Sequence, residues 1–146
     1  MIRKTLTAFA LAAAAAAAPT LAIAASHEGP GAGISMELNS LRDVDTGCRL
    51  AFVVKNETGT ALDSASYDFA IFDADGAVDR TLVFRFGELP EGKTKVMQYD
   101  LNEMACTEIS RVLVNAVTEC AAADGSSPDC LGTLSTSTRA EVDFGL

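Results

Sequence analysis

The chain has no tryptophan and a single histidine, His27, in 146 residues. Nucleophilic catalysis of the Ser-His-Asp or Cys-His kind needs an imidazole held by packing beside its nucleophile. His27 instead lies in Ala-Ser-His-Glu-Gly-Pro-Gly-Ala-Gly, residues 25–33, too rich in glycine and too poor in apolar groups to offset the entropy of ordering it. Closely spaced cysteine pairs are also missing. Cys48, Cys106, Cys120 and Cys130 are separated by 58, 14 and 10 residues, unlike the C-x₂₋₄-C spacing of a structural zinc site. Positive charge is scarce: 11 Lys and Arg stand against 20 Asp and Glu. That balance argues against nucleic acid and anionic lipid as partners.

What is present begins with an address. Arg3 and Lys4 precede an apolar run from Leu6 to Ala18, followed by Pro19 and Ala22-Ile23-Ala24-Ala25, the pattern of a secretory signal peptide. The run is shorter than the roughly 20 residues a membrane span requires, and no later run reaches that length. Small residues at Ala22 and Ala24 favour cleavage after Ala24, which gives residues 1–24 as signal, 25–33 as a flexible leader and 34–146 as one domain. Cleavage removes two of the 11 cations and none of the 20 acids, so nine face twenty and the mature formal charge is −11. Lys4 after Arg3 breaks a twin-arginine pair, and no cysteine at the cleavage region offers a lipid anchor. The expected location is the periplasm, or the exterior for a secreted chain. Asn56-Glu57-Thr58 is a glycosylation sequon that matters only if the chain is eukaryotic and secreted.

An even number of cysteines behind an export signal reads as two disulfides. Of the three connectivities, Cys48 with Cys106 and Cys120 with Cys130 is the expected one. It staples the polar loop 121–129 locally and ties the start of an early strand to the later half.

Period-two alternation runs through most of the chain. Ile34, Met36 and Leu38 share a face in a strand that ends near Leu41. Cys48, Leu50, Phe52 and Val54 share the next, and Tyr67, Phe69 and Ile71 follow within Ser66 to Asp73. Asp75-Gly76 supplies a turn, then Leu82, Phe84 and Phe86 alternate. Leu89-Pro90-Glu91-Gly92 turns into Lys95, Met97, Tyr99 and Leu101. Asn102 to Glu108 reads as a short helical turn, and residues 107–114 fit either a strand or a helical stripe. β-Branching favours a strand from Ser110 to Cys120, with Val112, Val114, Ala116, Thr118 and Cys120 on one face. Cys130 to Arg139 suits an exposed edge strand, and Val142 with Phe144 a last short one. About seven short strands without a long helix predict an all-β fold, an immunoglobulin-like antiparallel β-sandwich. Phe52, Phe69, Phe84 and Tyr99 are expected to meet in its core.

Val54-Lys55-Asn56, Phe69-Ala70-Ile71-Phe72-Asp73 with Asp75-Gly76, and Leu89-Pro90-Glu91-Gly92-Lys93 resemble FxLYD-type modules, small immunoglobulin-like domains of exported prokaryotic proteins; the resemblance covers about residues 48–101. Ile71 and Phe72 stand where that family has Leu and Tyr. The whole mature chain is also similar to a group of uncharacterised small exported proteobacterial proteins labelled by a twin-arginine signal, which this chain lacks. The shared look lies in Gly47-Cys48-Arg49, Asp75-Gly76, Gly92-Lys93-Thr94, Arg111-Val112-Leu113-Val114-Asn115, Cys120 and Cys130. Both resemblances imply the fold and bring no catalytic residue or ligand.

The residues therefore predict a non-catalytic binding or interaction module of the periplasm whose partner the sequence does not identify, an envelope protein being the candidate, and no catalytic set. Thr133 to Thr138 is the candidate edge for strand addition, and Phe72 with Val53 and Val83 a candidate apolar patch. Two other classes are open. A mature terminus Ala25-Ser26-His27 could close a square plane of four nitrogens around Cu(II) or Ni(II), and a small carboxylate-dependent hydrolase would need two acids held across a cleft. Asp73-Ala74-Asp75-Gly76 with Asp68 or Asp79 is a weaker calcium reading, because an EF-hand frame would put Ile71 and Leu82 where carboxylates belong.

Overall fold

The structure, a computed structural model, describes residues 32–146; the segment read as a signal lies outside them. It is an all-β sandwich of eight strands: β1 (Ile34–Val44), β2 (Gly47–Asn56), β3 (Leu62–Asp73), β4 (Val78–Leu89), β5 (Thr94–Asn102), β6 (Ile109–Ala122), β7 (Leu134–Thr138) and β8 (Asp143–Gly145). One sheet has the order β5-β2-β1-β7 and the other β4-β3-β6-β8. The expected β-sandwich is thus found, with eight strands rather than about seven. Its two last strands run parallel to their neighbours, β7 to β1 and β8 to β6. Both parallel edges follow from crossovers that carry the chain from one sheet to the other, a feature that strand alternation alone does not encode.

Phe52, on the central strand β2, lies between the sheets. Its ring centroid is 5.6 Å from Phe69, 5.8 Å from Phe84, 6.0 Å from Phe86, 6.1 Å from Tyr99 and 5.7 Å from Phe144. Tyr99 stacks on Phe84 at 4.1 Å. The four rings expected in the core are all there, joined by Phe86 and Phe144. Burying each such side chain stabilises the fold by about 1.5–3 kcal/mol.

Bulges correct the expected parity in two strands. In β1 the register slips between Leu38 and Ser40, so the inward set passes from Ile34, Met36 and Leu38 to Leu41. In β6, residues 110, 115 and 118 are the extra ones. Each reverses the alternation, so Val117 packs against the core while Ala116 and Thr118 do not share the face of Val112 and Val114. The Thr118 hydroxyl donates to Ser66 Oγ instead. Three further boundaries move: β1 runs on to Val44, β3 starts at Leu62 rather than Ser66, and the strand expected over Cys130 to Arg139 is Leu134–Thr138, because residues 130–133 form a turn. Residues 107–114 resolve into a single 3-10 turn, Cys106–Glu108, followed by strand.

Both disulfides form with the expected pairing, Cys48 to Cys106 and Cys120 to Cys130. Each fastens a crossover: the first ties β2 to the turn between β5 and β6, the second ties the end of β6 to the approach of β7. Gly47, just before Cys48, is required by close packing, since a Cβ there would lie 2.0 Å from the Leu101 carbonyl oxygen.

Truncating the central ring, Phe52→Ala, is expected to cost about 3–5 kcal/mol, read as a lower denaturant midpoint with both disulfides oxidised. The two tyrosines give a second check. Burial raises both phenols far above their ordinary value, which is about 10. Their folded pKa values exceed the unfolded ones, so their contribution to stability is complete below the unfolded value and is lost as pH rises through the folded value. Phenolate absorbance is therefore expected to appear only together with unfolding; ionisation at the ordinary value in folded protein would place the rings in water.

Candidate functional site

The expected edge is realised. Leu134–Thr138 forms β7 at the margin of the first sheet, paired with β1 alone. The Arg139 N–H donates to the Leu38 carbonyl at 3.0 Å, which fixes the alternation along this parallel ladder. Ser135 and Ser137 then point their backbone groups at β1, while Thr136 and Thr138 point theirs away. Side chains anchor the strand further. Ser135 and Thr138 hydroxyls reach the Ile34 and Leu38 carbonyls, and Arg139 Nε reaches both Glu37 oxygens at 3.0 Å. Hydrogen bonds from Asn39 and then Arg139 hold the Glu37 carboxyl below its ordinary value.

The opposite flank is closed. There β4 and β5 are the margins of the two sheets, and side chains pass between them. Lys95 Nζ donates to the Phe86 and Glu88 carbonyls at 2.8 and 3.0 Å, Tyr99 Oη to the Arg85 carbonyl at 2.7 Å, and Arg80 Nη1 to the Asn102 carbonyl at 3.0 Å. Three carbonyls of β4 and the last of β5 are thereby taken, which leaves fewer acceptors for a further strand. The guard function of Lys95 was missed from sequence, although a lysine on the inward parity of a strand is the signal that could have revealed it.

The proposed apolar patch does not assemble. Val53 belongs to the first sheet and pairs with Glu37 and Val96, whereas Phe72 and Val83 belong to the second, so the sandwich separates them. Alternation distinguishes inside from outside but not one outer face from the other. Phe72 packs under Arg111, whose guanidinium carbon is 5.5 Å from the ring centroid.

The acidic turn is occupied by its own backbone. Asp73 Oδ1 accepts from the Asp75 and Ala77 N–H groups at 3.0 and 2.8 Å, with Gly76 at a φ of 81° completing the turn. Asp79 pairs with Arg80, and Asp68 accepts from Asn115. A shallow groove of about 320 Å³ gathers Asp73, Asp75, Asp79, Glu103 and Glu108, and Asp68 does not line it. Among the described residues no three His, Cys, Asp or Glu side chains converge as metal ligands. Ala25, Ser26 and His27, the candidate copper or nickel ligands, lie outside the described residues.

Asn56 is a structural hub. Fully buried, its Nδ2 donates to the Thr60 and Leu89 carbonyls at 2.8 and 2.7 Å, and its Oδ1 accepts from the Thr58 N–H and hydroxyl at 3.0 and 2.8 Å. Its carbonyl accepts from Gly92 N–H at 2.7 Å. One side chain thus joins the turns after β2 and after β4, and the sequon nitrogen is inaccessible to a glycan in the folded chain. No protein-family model, curated protein or solved structure matches the chain.

Asn56→Ala would strand four buried or half-buried partner groups and is expected to cost about 2–4 kcal/mol in equilibrium unfolding. A change below about 0.5 kcal/mol would mean that water replaces these bonds without penalty.

Proposed function

We propose that the chain is a non-catalytic binding module of the periplasm that engages an extended strand at the free edge of β7. The observation carrying this reading is the asymmetry between flanks: side chains take the Arg85, Phe86 and Glu88 carbonyls of β4 and the Asn102 carbonyl of β5, whereas among the described residues no side chain takes an outward backbone group of Thr136 or Thr138 in β7. Strand addition uses such an edge directly, because main-chain hydrogen bonds supply the contact and the flanking side chains supply selectivity. The export signal and the two disulfides support an oxidising compartment outside the cytosol. Among the described residues no helix is long and apolar enough to cross a membrane. The resemblance to FxLYD-type modules points the same way, towards an exported domain without chemistry of its own. The acids speak against a carboxylate-pair hydrolase, since Asp73, Asp79 and Asp100 are each held by a turn or an arginine.

The test is amide hydrogen exchange of the mature, oxidised protein, measured dilute, concentrated, and with a native envelope fraction. Slower exchange within Leu134–Thr138 in either of the last two conditions is expected. Unchanged exchange there in both, with protection elsewhere or nowhere, would remove the edge reading.

A further inference from the structure

The β7 edge has a composition unlike the rest of the molecule. Leu-Ser-Thr-Ser-Thr carries no charge, in a chain of formal net charge −9. A second copy approaching over most of the surface meets like charge, but along β7 it does not. The strand also reads nearly the same in both directions about Thr136, with a serine on each side. We propose that β7 pairs antiparallel with β7 of a second copy, across a two-fold axis at Thr136, to join two four-stranded sheets into one. This rests on the edge reading above and names its occupant.

The hydrogen bonding follows from the ladder. Residues opposite one another in an antiparallel pair exchange both N–H···O=C bonds when their backbone groups face each other. Thr136 points its N–H and C=O away from β1, so the two Thr136 residues meet that condition. Two positions on, each Thr138 N–H faces Leu134 C=O of the second copy. The Leu134 N–H is already spent on the Leu131 carbonyl at 3.1 Å, which limits the pairing to four bonds and matches the five-residue strand. On the outer face of the sheet, each exposed Ser135 lies opposite the other copy's Ser137.

Charge is complementary just beyond the strand. In this register Arg139 falls opposite Thr133, next to Gly132, whose N–H is held by Asp129 Oδ1 at 2.7 Å. The Arg139 side chain is 72% exposed, and only its Nε is engaged, on Glu37. Its Nη groups make no hydrogen bond among the described residues, and in the proposed pairing they are free to meet the Asp129 carboxylate of the second copy. The two-fold axis repeats this pair at the other end.

The experiment is sedimentation equilibrium of the mature, oxidised protein, combined with amide exchange over the same concentration series. A monomer–dimer equilibrium is expected, with exchange at Thr136 and Thr138 slowing as the dimer fills. Ser135→Lys/Ser137→Lys puts lysine opposite lysine on an exposed face and should weaken dimerisation at least tenfold, while the dilute monomer unfolds at the midpoint of Ser135→Ala, which lacks the same hydroxyl bond to Ile34 and should still dimerise. Ser135→Glu/Ser137→Glu should do the same alone, and mixing the two variants should restore a heterodimer. Thr136→Pro, which removes an outward N–H not used by β1, should abolish the dimer. A monomer throughout the series, or a dimer indifferent to the lysine and glutamate pairs, would overturn the proposal. If the monomer also shows β7 protection with an envelope fraction, the edge reading stands and only the second copy is ruled out; without that protection both fall.

Discussion

Contact between the Phe52 ring and the rings of β3, β4, β5 and β8 is the constraint on which the sandwich depends. β2 is an inner strand of its sheet, so a bulky group at its middle fixes the separation and alignment of both layers. Aromatic packing has only weak directional preference, and what it demands of each strand is a side chain inside at the right level. The bulges at residues 39, 115 and 118 meet that demand. Each resets the parity of a long strand as it twists, bringing Leu41, Val117 and Cys120 back to the core.

Away from the rings the structure is held by polar and covalent links where apolar cover is thin. Asn56 joins two turns at one end, and Tyr67 Oη reaches the Cys130 carbonyl at 2.9 Å, tying the middle of β3 to the second crossover. Both disulfides fall on crossovers between the sheets. In the chain-entropy account, a loop of 58 residues and one of 10 contribute about 4 and about 3 kcal/mol. Such links compensate segments rich in polar and glycine residues, notably 121–133, which bring little burial of their own.

Much of this was legible from residue order. Alternation placed the core rings, and the inward position of Cys48 beside the isolated loop 121–129 gave the disulfide pairing. Bulges were not legible because no residue type demands them; Asn39 and Asn115 are of a type depleted in strands and Thr118 of one enriched in them, so tertiary fit decides. The parallel edges were hidden for a similar reason, since β7 and β8 pair with strands distant in the chain. Phe144 shows the limit well. Three residues of strand carry almost no pattern, yet its ring stacks with Phe69 at 6.5 Å and closes the flank between β7 and β8.

The flanks manage exposed edges by different physics. Between β4 and β5, three long side chains occupy carbonyls, a protection that is independent of strand length. Between β7 and β8, protection comes from shortness: five and three residues offer few bonds to an incoming strand, and Phe144 covers the apolar interior behind them. Shortness limits affinity without abolishing binding. A long edge with carbonyls taken by side chains is a poorer template, whereas a short uncharged one can add a strand weakly and reversibly, and the surrounding negative charge then penalises orientations other than alignment along β7. Affinity at such an edge is therefore set by a few main-chain bonds, while selectivity is set by the charges around it.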